Sequence, residues 1–71
     1  MANPTDIQIA QAESDLRFTA HTPLHIGTWT INKVGNEYVC KTPVLKMTLT
    51  KEDAIDFVST KIANGERKWF G

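Results

Sequence analysis

The most constraining feature of the sequence is the dipeptide Gly35-Asn36, set between two stretches in which apolar and polar residues alternate. Both residue types tolerate positive φ, so the pair signals a two-residue β-hairpin. Closing the hairpin there pairs Val34 with Glu37, Asn32 with Val39, Ile31 with Cys40 and Trp29 with Thr42. The strand period of two then puts Trp29, Ile31, Tyr38 and Cys40 on one face. Thr28, Thr30, Asn32, Val39 and Lys41 fall on the other. A chain held in this register needs something apolar to cover the first face.

The cover is written further along. Thr50 is an N-cap for a helix, Asp53 stands at the capping-box position, and Glu52 and Asp53 lie at the positive end of the helix dipole. Ala54, Ile55, Val58 and Ile62 recur at helical spacing, with Phe57 widening the stripe. Lys61 lies in the last turn, and Asn64-Gly65 supplies a left-handed stop. Before this helix and after Pro43, Leu45, Met47 and Leu49 alternate with Val44, Lys46 and Thr48, which predicts a strand.

Upstream of the hairpin the alternation of Leu16, Phe18 and Ala20 with Arg17 and Thr19 predicts the first strand. Ile26, Trp29 and Ile31 predict the second, with a phase slip across Gly27 that suggests a bulge or kink. Residues 3–14 allow three readings. Asn3 as N-cap, Pro4 at the first helical position and Asp6 at the third would start a short helix. Ile7 and Ile9 around Gln8 fit a strand, and the scarcity of large apolar groups fits a mobile arm.

The expected fold is therefore α+β: a four-stranded antiparallel sheet with one C-terminal helix packed on one face, in the order β-β-β-β-α. In this single domain, residues 1–14 form the arm or short helix, 15–49 the sheet, 50–64 the helix and 65–71 an aromatic tail. The expected core is Leu16, Phe18, Ile26, Trp29, Ile31, Tyr38, Cys40, Leu45, Met47, Leu49, Ile55, Val58 and Ile62. A chain of 71 residues buries only about 60% of its unfolded surface, so association with a partner would relieve a thin core.

Composition narrows the function classes. Eight basic and eight acidic residues cancel, which argues against a protein held to nucleic acid or anionic lipid by bulk charge. No apolar run approaches the roughly 20 residues needed to cross a bilayer. The amino terminus has neither the basic region nor the apolar stretch of a signal peptide, so a cytoplasmic protein without membrane contact is expected.

The residues that could carry chemistry do not converge on a motif. His21, His25 and Cys40 are the candidate metal ligands. Pro23 keeps the two histidines off one helix face, and structural zinc wants four ligands. Cys40 reads as a small core hydrophobe, not an activated nucleophile. Glu52, Asp53 and Asp56 are explained by the helix start, and no glycine loop cradles a phosphate. The expectation is a protein that is not an enzyme and has no cofactor.

Two surfaces remain. The open sheet face would display Arg17, Thr19, Thr28, Thr30, Asn32, Val39, Lys41, Lys46 and Thr48, polar groups and cations without an acid. It lacks an aromatic platform for base stacking in this register. The tail, with Arg67, Lys68, Trp69 and Phe70, either folds back over the core or reaches outward as an interface anchor.

The leading expectation is a protein-interaction module that occupies the surface of a larger protein partner. Formation of a homodimer is allowed, and nucleic-acid binding by the cationic face is the alternative. In size and general style the chain is similar to compact inhibitors encoded by bacteriophages and mobile elements, anti-CRISPR proteins among them. The similarity is one of scale and transfers no residue.

Overall fold

A computed structural model describes residues 3–71. The chain forms α1 (Asp6–Phe18), β1 (Leu24–Ile26), β2 (Trp29–Val34), β3 (Glu37–Lys41), β4 (Lys46–Leu49), α2 (Lys51–Ala63) and β5 (Lys68–Phe70). All neighbouring strands pair antiparallel, in the spatial order β4-β3-β2-β1-β5. The class is α+β with an antiparallel sheet, as expected, but the sheet has five strands and two helices lie side by side on one face. No helix is long and apolar enough to cross a membrane among the described residues.

The central hairpin has the expected register: Val34 opposes Glu37, Asn32 opposes Val39 and Ile31 opposes Cys40. The ladder ends at Thr30 and Lys41, so Trp29 does not pair with Thr42. That threonine closes the next turn instead, with its backbone N–H on the Leu45 carbonyl at 2.8 Å and its hydroxyl accepting from the Leu45 N–H at 3.0 Å. Leu45 thereby sits in the turn and is 61% exposed, outside the core it was expected to join.

The largest correction concerns residues 16–20. Leu16, Arg17 and Phe18 end α1, and no strand begins there. Two local causes outweigh the alternation. Thr5, not Asn3, is the N-cap: it accepts from the Gln8 backbone N–H while the Gln8 side chain accepts from the Thr5 N–H, a complete capping box. From Thr5 onward no proline or glycine interrupts the segment, and Ala12 and Leu16, four apart, are its buried residues. Only Leu16 of the alternating set faces the core. Phe18 is 44% exposed, and Thr19 is buried as the C-cap with its hydroxyl donating to the Leu16 carbonyl.

The place at the sheet edge that residues 16–20 leave vacant is taken by the tail. Lys68–Phe70 form β5, with Leu24 opposite Phe70, His25 opposite Trp69 and Ile26 opposite Lys68. At the phase slip there is no bulge. Gly27, at φ +58, turns the chain between β1 and β2 so that Ile26 pairs directly with Trp29. Positive φ at the first of two central residues is the sign expected of a type II′ hairpin.

The second helix follows its sequence signals closely. The Thr50 hydroxyl accepts from the Asp53 N–H at 3.3 Å. At the other end the Gly65 N–H reaches the Ile62 carbonyl and the Glu66 N–H reaches the Lys61 carbonyl. With Gly65 at φ +77 this is a Schellman ending. The core comprises Ala12, Leu16, Leu24, Ile26, Ile31, Tyr38, Cys40, Ala54 and Val58, with Trp29, Met47, Leu49, Ile55, Phe57 and Ile62 partly buried against it. Ala12 and Ala54, both fully buried, let the two helices approach closely.

Candidate functional site: the open sheet face

Because directly paired residues share a face, the register builds one uninterrupted row across all five strands on the side away from the helices. Trp69 of β5 lies opposite His25 of β1, His25 opposite Thr30 of β2, Thr30 opposite Lys41 of β3, and Lys41 opposite Lys46 of β4. Behind it runs a shorter row of Asn32, Val39 and Thr48. Alternation also puts Glu37 on this side, at the hairpin end, so the face carries one acid that sequence reasoning did not assign to it.

The two ends of the long row differ in chemistry. At the β5 end, the indole of Trp69 stacks on the imidazole of His25, with centroids 5.2 Å apart and planes 13° from parallel. The Arg67 guanidinium lies over the same indole at 5.4 Å, a cation–π contact that holds the ring in place. The Nδ1 of His25 is 3.2 Å from the Thr30 hydroxyl, which fixes the imidazole from the other side. Trp69 remains 44% exposed. The result is an aromatic shelf with a cation above it. At the β4 end, Lys41 and Lys46 stand opposite each other and are both exposed. Like charges directly across a ladder destabilise it, which a counter-charge from outside would relieve.

The residues expected to bind a partner divide between the two sides of the sheet. Thr30, Asn32, Val39, Lys41, Lys46, Arg67 and Trp69 share the open face. Arg17 lies on α1, on the other side, and Thr19 is buried. Lys68 and Phe70, alternating with Trp69, point toward the helices. The Lys68 ammonium pairs with the Asp15 carboxylate of α1, and the Phe70 ring meets Phe18. The tail therefore does both things expected of it as alternatives: two of its residues fold back, and Trp69 faces outward.

The candidate metal set is not assembled. His25 is on the open face, Cys40 is fully buried on the opposite one, and His21 rests edge-on against Phe18. No group of three His, Cys, Asp or Glu residues able to hold a metal occurs among the described residues. Burial pushes the Cys40 thiol up to about 11, which leaves it neutral and a poor nucleophile at ordinary pH.

The His25–Trp69 stack was missed in the sequence because it depends on β5 pairing with β1. The signal available was the triplet Lys68-Trp69-Phe70, in which only the middle residue shares the open side. Comparison with known proteins finds nothing that matches this chain, whether a family model, a curated protein or a solved structure.

Proposed function

We propose that this protein is a non-enzymatic binding module that acts by occupying an acidic surface of a larger protein through its open sheet face. The single observation that carries the reading is the row from Trp69 to Lys46: an anchored, half-exposed aromatic with a guanidinium at one end and an uncompensated lysine pair at the other. Tryptophan and arginine are the residue types that most often dominate interface energetics. The lysines supply complementarity and steering toward a carboxylate-rich partner. Occupying a surface in this way is how a small inhibitor acts.

One observation favours nucleic acid as a second reading. The His25–Trp69 shelf supplies the stacking platform that the expected register lacked, and bases stack on such rings without sequence preference. A capture experiment separates the two. Tagged protein is incubated with lysate from its natural host, with and without nuclease, and bound material is identified by mass spectrometry. The reading expects one protein retained after nuclease treatment, lost with Trp69→Ala and with Lys41→Glu/Lys46→Glu, and kept by Asp56→Ala on the helical side. Capture that disappears with nuclease transfers the face to nucleic acid. Retention of the partner by the double lysine variant defeats the proposal.

A further inference from the structure

On the helical side, at the end of the β2–β3 hairpin, the two helices and the sheet leave a cavity of about 430 Å³ lined by Glu13, Leu16 and Arg17 of α1, Lys51 and Ile55 of α2, and Lys33, Asn36 and Tyr38 of the hairpin. Its construction follows from the fold. Glu13 and Arg17 lie one turn apart on α1, as do Lys51 and Ile55 on α2, and Lys33 is the cross-strand partner of Tyr38. Leu16, Ile55 and the Tyr38 ring provide apolar walls, and the Asn36 amide stands at the hairpin turn.

Two observations single out this cavity. The first is charge. Arg17, Lys33 and Lys51, all exposed, line it together with Glu13 as the one carboxylate, and none of the three cations is in an ion pair among the described residues. The second is Tyr38. It is only 4% exposed, yet its hydroxyl makes no hydrogen bond to another described residue. No fully enclosed polar side-chain atom lacks a partner among those residues, so the hydroxyl reaches solvent, and Tyr38 is one of the residues that line this cavity. A buried phenol usually finds a partner for its hydroxyl. A ligand seated in the cavity that Tyr38 lines would offer this hydroxyl, now open to solvent, such a partner. Lys51 is moreover the first residue of α2, where the helix dipole adds positive potential.

We infer that this cavity binds a small phosphomonoester of nucleotide or sugar size, its phosphate held among Arg17, Lys33, Lys51 and the Tyr38 hydroxyl and its organic body against Leu16 and Ile55. The excess of cations over the Glu13 carboxylate matches the double charge of a phosphomonoester near neutral pH. Arginine and lysine supply the fork and point-charge contacts that phosphates take. The volume lies within the range of small-ligand sites. Because the cavity is on the opposite side of the sheet from the Trp69–Lys46 row, the inference stands or falls independently of the proposed function.

The test is a titration of the ¹⁵N-labelled full chain, followed by amide shifts, with adenosine monophosphate, glucose 6-phosphate, inorganic phosphate, adenosine and glucose as separate probes. The expected result is saturable shifts at Lys33, Tyr38 and Lys51 with at least one of the two esters. That ester should bind about tenfold or more tighter than inorganic phosphate, and neither unphosphorylated compound should saturate. Arg17→Ala and Lys33→Ala should each weaken binding about tenfold. Tyr38→Phe, which retains the ring that fills the core, should weaken it with the fold intact, and Lys46→Ala should leave it unchanged. The inference is overturned by no saturable shift with either ester at millimolar concentration, by binding indifferent to Lys33→Ala, or by shifts confined to the Trp69–Lys46 row.

Discussion

Phe18, the last residue of α1, and Phe70, the last residue of β5, meet edge to face with ring centroids 4.8 Å apart and planes at 65°. Beside them Lys68 and Asp15, 53 residues apart in sequence, form the ion pair that also joins β5 to α1. An amino-terminal helix and a carboxyl-terminal strand are thus fastened to each other by one aromatic and one ionic contact.

Phe70→Ala removes the aromatic fastening and part of the cover over Leu24, its cross-strand partner. Both rings are partly exposed, so the loss is smaller than for a central core phenylalanine: about 1–2 kcal/mol, from the pair itself and the area it covers. In a domain this small that lowers the melting temperature by roughly 4–16 °C, measured by thermal unfolding followed by circular dichroism. Phe18→Ala should cost a similar amount, and the double variant clearly less than the sum. Full additivity would mean that the two rings are not coupled.

Gly27 and Gly35 have nearly the same left-handed φ, +58 and +63, but different surroundings. A methyl group at Gly35 meets open space, whereas at Gly27 it runs into the Glu66 carboxylate, which also pairs with Lys61 at 3.5 Å. Gly35→Ala should therefore cost only the conformational term, about 1 kcal/mol. At Gly27 the colliding atom is the end of a flexible side chain, so Gly27→Ala should cost only the same conformational term plus, at most, the weak Lys61–Glu66 pair that the carboxylate gives up on swinging aside, a few tenths of a kcal/mol. Denaturant midpoints of the variants check this, and a cost at Gly27 several kcal/mol above that at Gly35 would contradict it.

Cys40 is fully buried and its thiol is pushed up to about 11 by desolvation. The unfolded chain begins to lose this proton near the ordinary thiol value of 9.0, while the folded chain keeps it. Over that interval the unfolded state binds fewer protons, so stability falls as pH rises from about 9 toward 11 and is unaffected by this group below that window. Cys40→Ala should flatten the alkaline slope of denaturant-measured stability. Alkylation of native protein at pH 8 should be at least about tenfold slower than in denaturant, because only the open form exposes a thiolate.

How much of this was legible beforehand depends on the range of the interactions. The β2–β3 register and α2 were readable because Gly35-Asn36, Thr50 and Gly65 act on their immediate neighbours. The misreading of Leu16–Ala20 arose from a helix whose buried stripe is narrow, essentially Ala12 and Leu16, and whose outward Phe18 imitated a strand's alternation. Ala12 and Leu24 were missed in the core because neither is marked by a pattern: one is small, the other stands directly after Pro23 at the head of a strand only three residues long. Of the open face, the residues contributed by β2, β3 and β4 follow from local alternation. The aromatic shelf at its other end does not, since nothing near Trp69 specifies that His25 will be its neighbour.

The placement of β5 beside β1 also favours an order of assembly. From Leu24 to Leu49 every strand pairs with the next along the chain, so each step closes a short loop. β5 joins only when the polypeptide between Ile26 and Lys68 has already compacted, an entropic cost that defers it to a late stage. When it detaches, β1 is left with an unpaired edge, for which the chain's own strand, tethered at high effective concentration, competes far better than the same segment of another copy. Exchange of terminal strands between two copies is therefore held off by the tether and gains ground only where copies are crowded together.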